Sequence, residues 1–182
     1  MDLRYRLAVV TSAGAGLGRE VAVALSRVGA AVLSADRDLA AAQETAELVR
    51  RARVGAWALQ VDLADEDELR MLAARARDLG GMDLLVTLDL RASTRLTQLF
   101  VEGLPERRGR RDGSPAVVHV GGATTGSELD RLTADLAVPA STHGARVMAV
   151  AAGSAPPATV TGAVVALLST GTAGEVVDLG DG

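Results

Sequence analysis

The sequence predicts an α/β fold, a single doubly wound parallel sheet of about seven strands flanked by helices. Three observations carry the prediction. Strand-like apolar runs alternate with amphipathic helical runs along the chain. A glycine-rich turn, Thr11-Ser12-Ala13-Gly14-Ala15-Gly16-Leu17-Gly18, joins the first apolar run to the first helical one. The composition is 48% hydrophobic but only 2% aromatic. The core must therefore be built from Val, Leu and Ala, which suits a sheet buried on both faces.

Residues 6–11 are the first expected strand and residues 17–28 the first helix, ended by Gly29. The turn between them lets a backbone approach a pyrophosphate, with the free N–H groups and positive dipole end of the helix facing the anion. Residues 31–36 form the second strand, closing on Asp36, 18 positions after Gly18. That spacing fits a carboxylate that accepts from the adenosine ribose hydroxyls of NAD and repels the 2′-phosphate of NADP. Arg37 pulls the other way, because a guanidinium attracts that phosphate. Residues 39–51 read as the second helix and 56–61 as the third strand, which leads to Asp62-Leu63. Asp65, Glu66, Asp67 and Glu68 open the third helix at its positive end. Residues 82–88 are the fourth strand, and residues 95–104 a short helix. Residues 106–113 carry four arginines. A solvated connection is the leading reading there, and a local anion or nucleic-acid contact the other. Residues 116–120 are the fifth strand, followed by a Gly- and Thr-rich turn. A helix over 128–140, interrupted late by Pro139, a strand over 146–150, a helix over 158–169 and a strand over 175–179 complete the series. Connections are short, so residues 1–182 read as one domain.

Composition removes whole classes of function. The net charge is −4, and no run of about 18 apolar residues occurs, so neither a membrane span nor a broadly basic nucleic-acid surface is indicated. The chain enters its first strand within a few residues, which makes the cytoplasm the default location. Cysteine is absent, and with it thiol nucleophiles and thiolate metal sites. The two histidines have no clustered acids at metal-ligand spacing. Lys, Asn and Ile are also missing, so all 19 basic residues are Arg.

The motifs resemble those of the short-chain dehydrogenase/reductase (SDR) family along nearly the whole chain. Thr11 to Gly18 resembles the family's TGxxxGxG, with Ser12 in place of the first glycine. Asp36 matches the acid after the second strand, and Asp62-Leu63 the turn that meets the adenine. Met82-Asp83-Leu84-Leu85-Val86 resembles the fourth strand, residues 132–153 the helix and strand that end in a Pro-Gly turn, and residues 161–182 the last helix and strand. The resemblance implies a Rossmann fold and a nicotinamide cofactor, held by Thr11, Ser12, Gly16, Leu17, Gly18, Asp36, Arg37, Asp62 and Leu63. NAD(H) is favoured over NADP(H) by Asp36. Retention of the loop for packing alone, with no dinucleotide bound, is the alternative.

The departures cluster at the catalytic end. Thr87-Leu88-Asp89-Leu90 stands where the family has NNAG, and Gly121-Gly122 where its fifth strand ends in Ser-Ser. The long helix that carries the family's active-site Asn reads as mostly missing, and the substrate loop as a few residues around Pro156-Pro157. Ala152 replaces the turn's Pro. With no Lys or Asn in the chain and Tyr5 as its only Tyr, the Asn, Ser, Tyr and Lys roles of the family have no holders.

Single residues keep two readings each. His119 and His143 are either structural or, for His119, a catalytic base. Asp89 either binds a ribose hydroxyl or faces solvent. Ser12 either donates to a phosphate or fills space. Thr124, Thr125 and Ser127 either bind a ligand or cap a helix. The main functional expectation is a non-catalytic subunit, scaffold or nucleotide-sensing partner. It would pair as a homodimer, or as a heterodimer with a full-length SDR, through the last helix and strand. The alternative is an NAD(H)-dependent oxidoreductase whose rebuilt site uses Asp89, His119 or Thr124. A third reading is the structural subdomain of a polyketide-type ketoreductase.

Overall fold

The computed structural model describes residues 3–104, 114–122 and 126–180. Along them, seven strands alternate with six helices: β1 (Leu7–Thr11), α1 (Gly16–Arg27), β2 (Ala31–Asp36), α2 (Leu39–Arg50), β3 (Ala56–Gln60), α3 (Glu66–Asp78), β4 (Leu84–Thr87), α4 (Leu90–Glu102), β5 (Ala116–Gly121), α5 (Gly126–Thr142), β6 (Arg146–Ala151), α6 (Pro157–Thr170) and β7 (Val176–Asp178). The strands form one sheet in the order β3-β2-β1-β4-β5-β6-β7, and every neighbouring pair is parallel. The chain winds one way from β1 to β3 and the other way from β4 to β7. The direction reverses between β1 and β4, where a ligand crevice forms in such sheets. The expected fold class is the observed one.

The strand period of two explains both layers of core. Ala8, Val10, Val32, Val86, Val118 and Val150 point to one face, where Leu25 of α1, Val49 of α2 and Val164 of α6 cover them. Leu7, Val9, Leu33, Leu85, Val117 and Val147 point to the other, under Leu72 of α3, Leu96 and Phe100 of α4 and Ala140 of α5. With both faces covered, continuous apolar strands cost nothing in exposure. Phe100 is wholly buried and is the largest such side chain in the molecule.

Two arginines fasten the lower end of the sheet. Arg6 donates through Nη2 to the carbonyls of Asp83 (3.2 Å) and Ser114 (2.7 Å), and Asp83 accepts from the Leu7 amide at 2.9 Å. Burial lowers the Arg6 pKa, and the nearby Asp83 carboxylate opposes that shift. Arg146 donates to the carbonyls of Leu167, Leu168 and Gly171, so it caps the C-terminal end of α6.

Most expected boundaries stand within two residues, but the region after β4 needs correction. The helix expected over residues 95–104 begins five residues earlier, at Leu90. Asp89 is its N-cap and accepts from the Arg91 amide at 2.9 Å. The short helix expected there is therefore 13 residues long. Pro139 does not interrupt α5, which runs on to Thr142. The arginine-rich stretch 106–113 and the residues Thr124 and Thr125 lie outside the described residues. Among the described residues, no helix is long and apolar enough to cross a membrane.

Candidate functional site: a cleft at the sheet's switch point

The C-terminal ends of β1 to β4 open on a cleft of about 890 Å³. Its wall takes Ser12 from the end of β1, Asp36 and Arg37 from β2, Asp62 and Leu63 from β3, and Asp89 from β4. Five of the nine expected cofactor residues thus share one cavity. Thr11, Gly16, Leu17 and Gly18 do not line it.

The glycine loop is held by specific contacts. Thr11 is buried, and its hydroxyl accepts from the Leu88 amide at 3.1 Å, tying β1 to the end of β4. Asp36 accepts from the Gly14 amide through Oδ2 (2.7 Å) and from the Asp38 amide through Oδ1 (3.0 Å). A Cβ at Gly14 would sit 2.8 Å from the Asp36 carboxyl carbon, so the close approach requires glycine there. A Cβ at Gly18 would sit 2.1 Å from the Ser12 carbonyl oxygen, which fixes that glycine by sterics. On the far side, Arg19 donates to the Gly14 carbonyl, to Thr45 Oγ1 (3.0 Å) and to Glu44 (3.0 Å). Thr45 in turn donates to the Ala13 carbonyl at 2.7 Å. Both loop carbonyls are thereby drawn toward α2.

Ser12 has φ +51°, a left-handed conformation that glycine adopts freely. This is the position where the family resemblance expects glycine. Its hydroxyl reaches the cleft wall, but the backbone carries the strain.

The start of α1 suits an anion. Its N-cap, Ala15, supplies no side-chain acceptor, whereas Asp38, Asp65 and Asp89 cap α2, α3 and α4. The first amides of α1 are thus without a side-chain acceptor and point along the positive end of the dipole. On the β3 side, Asp62 Oδ1 accepts from the Ala64 amide (2.9 Å), and the Asp62 amide donates to Glu68 Oε2 (2.6 Å). The Asp62-Leu63 turn is consequently rigid.

The sequence reading missed Arg91 and Leu39, both on the cleft wall. Arg91 is the second residue of α4, and recognising it required placing the helix N-cap at Asp89. Leu39 is 38% exposed, an apolar surface at the mouth of the cleft.

His119 is structural, as one of its two readings held. It is fully buried in β5 and hydrogen-bonded on both ring nitrogens, to Thr87 Oγ1 (2.7 Å) and Thr97 Oγ1 (3.5 Å). The proton order follows from the chain of acceptors. Ser93 donates to the Asp89 carbonyl (2.9 Å), so Thr87 donates to Ser93 (2.7 Å) and His119 Nδ1–H donates to Thr87. Burial pushes the imidazole pKa down to about 4, so the ring is neutral at pH 7. It cannot reach a substrate in the cleft. It holds the base of α4 and, through Ser93, the backbone of Asp89. His143 is exposed and donates through Nδ1 to the Pro139 carbonyl (3.2 Å). Tyr5 lies before β1, at the end of the sheet opposite the cleft, and is 81% exposed. Among the described residues, no group of three or more His, Asp or Glu is placed to hold a metal ion.

The sequence model for short chain dehydrogenases matches residues 6–88, the stretch that builds β1 to β4. Over 87 residues the chain is 35% identical to 7alpha-hydroxysteroid dehydrogenase of Escherichia coli, covering 47% of this chain and 34% of that enzyme. The match thus spans about a third of the enzyme's length. Over 88 residues it is 31% identical to the short-chain dehydrogenase/reductase homologue YusS of Bacillus subtilis, covering 47% of this chain and 81% of that protein. Among solved structures, a hydroxysteroid dehydrogenase from Escherichia coli superposes with a TM-score of 0.84 at 20% identity, over 97% of this chain and 96% of the other. A 7α-hydroxysteroid dehydrogenase complexed with NADH and 7-oxo glycochenodeoxycholic acid superposes with a TM-score of 0.85 at 19% identity, over 98% of this chain and 94% of the other. The structural likenesses fix the fold, and the sequence matches fix the lineage: the chain belongs to the short-chain dehydrogenase/reductase family.

Proposed function

We propose that the protein binds NAD(H) in the cleft at the switch point and serves oxidoreductase chemistry through a rebuilt active site. The observation that carries this reading is Asp36. It accepts one hydrogen bond from the Gly14 amide of the glycine loop and one from the Asp38 amide, and it still lines the cleft, where its remaining lone pairs can accept from ribose hydroxyls. The uncapped start of α1 would take the pyrophosphate, and Asp62 and Leu63 the adenine side. When bound, the cofactor supplies hydride transfer, and this chain's residues orient it. The names of sequence relatives, several of them dehydrogenases, support an oxidoreductase over the non-catalytic role that the missing residues first suggest. Of the three groups considered for the rebuilt site, Asp89 is the one on the cleft wall. His119 is a positioning residue, and Thr124 lies outside the described residues.

A second reading has its own observation. The chain contains no Lys or Asn, and Tyr5 is on the wrong side of the sheet. On that reading the protein is a non-catalytic subunit or nucleotide sensor, paired through α6 and β7 with a second copy or a full-length relative. One assay separates the two: NADH oxidation across a panel of ketones and aldehydes, with Asp36→Ala as the control. Turnover that disappears in the variant supports the oxidoreductase. NADH binding without turnover supports the sensor.

A further inference from the structure

A second cleft lies at the opposite end of the sheet and has no part in the cofactor site. It measures about 850 Å³ and opens beside Ala31, where β2 begins, between the C-terminal ends of α1 and α2. A six-residue strand such as β2 separates the two clefts by roughly 20 Å.

Its chemistry is unusual for this molecule. The chain carries a net charge of −4, yet among the described residues the cleft is lined by Arg4, Arg27 and Arg53 and by no carboxylate. Neither Arg27 nor Arg53 has an ion-pair partner among the described residues. The carbonyl ends of α1 and α2 offset some of this charge, but two helix ends amount to about −1 against the two guanidinium groups of Arg27 and Arg53. Arg27 and Arg53 are exposed, so their heads are available to a ligand.

The walls also hold strain. Tyr5 has φ +66° and Arg53 φ +60°. A left-handed conformation is costly for a non-glycine residue, and such positions collect at sites that bind. The Arg4 side chain crosses Gly29, where a Cβ would meet it at 2.7 Å. Tyr5, one of only three aromatic residues in the chain, stands in solvent on the cleft wall. Its ring is a free stacking surface.

We propose that this cleft binds a phosphorylated small molecule with a planar ring, such as a nucleotide. Arg27 and Arg53 hold the phosphates, and Tyr5 stacks on the ring. Guanidinium forks suit phosphate oxygens, and an exposed aromatic face suits a base.

The single tryptophan reports on the site. Trp57 packs over Gly55, which lines the cleft; a Cβ there would meet its ring at 2.5 Å. Trp57 fluorescence of the whole chain and of Asp36→Ala is titrated with inorganic pyrophosphate and with uridine diphosphate. The expected result is a saturable change with both probes that Asp36→Ala retains. Arg27→Gln and Arg53→Gln should each weaken both probes about tenfold or more. Tyr5→Ala should weaken uridine diphosphate about fivefold or more while sparing pyrophosphate. All three side chains are exposed, and circular dichroism checks that the variants fold. No signal with either probe, loss of the signal in Asp36→Ala, or unchanged affinity in the Arg27→Gln/Arg53→Gln double variant overturns the proposal. An unchanged uridine diphosphate affinity in Tyr5→Ala removes the ring from it.

Discussion

Gly18→Ala is the sharpest test of how the glycine loop is built. A Cβ at this position would lie 2.1 Å from the Ser12 carbonyl oxygen, 2.7 Å from the Ser12 carbonyl carbon and 3.1 Å from Ala13 Cα. All three are backbone atoms, so no side chain can swing aside. Real Cβ contacts do not fall below 3.0 Å, which means the start of α1 and the loop must separate by about 0.9 Å. Overpacking of this kind costs about 1–3 kcal/mol, and rigid backbone on both sides puts this case at the upper end. Alanine's better helix propensity returns less than about 1 kcal/mol. The expected net loss is about 2 kcal/mol, read from the urea midpoint at unchanged m-value. A larger effect is expected on NADH affinity, because the displaced amides are those proposed to meet the pyrophosphate. Gly16→Ala is the companion variant. Gly16 has φ +50° but nothing within 4 Å of a Cβ, so it should lose only about 1 kcal/mol. If Gly18→Ala keeps both its urea midpoint and its NADH affinity, or loses less than Gly16→Ala, the steric reasoning is wrong.

Three further outcomes are expected. Ser12→Gly should raise stability by about 0.5–1 kcal/mol, because it relieves a left-handed serine at φ +51° faster than it loosens the unfolded chain; a loss would mean the Ser12 hydroxyl holds something. Stability should fall as pH drops from 6.5 toward 4, since the unfolded chain protonates His119 at about 6.5 while burial delays this to about 4 in the fold. The share from His119 is roughly 3 kcal/mol, and it should vanish from the pH profile of His119→Gln. Arg146→Met should strip the cap from the last turn of α6 and cost about 2 kcal/mol, with hydrogen exchange rising first at residues 167–171.

Much of the fold is legible because its signals are local. Each strand is an apolar run, and α2 and α3 announce themselves through Asp38 and Asp65 at their N-caps. The start of α4 was misplaced because Asp89 resembled a site acid at a strand end, when it also had the form of an N-cap. The cleft wall was largely legible from Ser12, Asp36 and Asp62, since family spacing points to strand ends. Arg91 was not, because its place depends on where α4 begins. The Thr87–Ser93–His119 chain joins three elements and carries no spacing signature except Ser93 and Thr97, four apart on one helix face. The Asp36–Gly14 contact is likewise tertiary, formed across 22 residues. Nothing local in the glycine motif distinguishes a glycine kept for φ, such as Gly16, from one kept for closeness, such as Gly18.

The central claim is that the cleft holds NAD(H). Calorimetric titration of the whole chain with NADH and NADPH tests it most directly. The account predicts saturable 1:1 binding of NADH, weaker binding of NADPH, and loss of NADH binding in Asp36→Ala. Heat of dilution alone with both nucleotides, or NADPH binding more tightly than NADH, would contradict it.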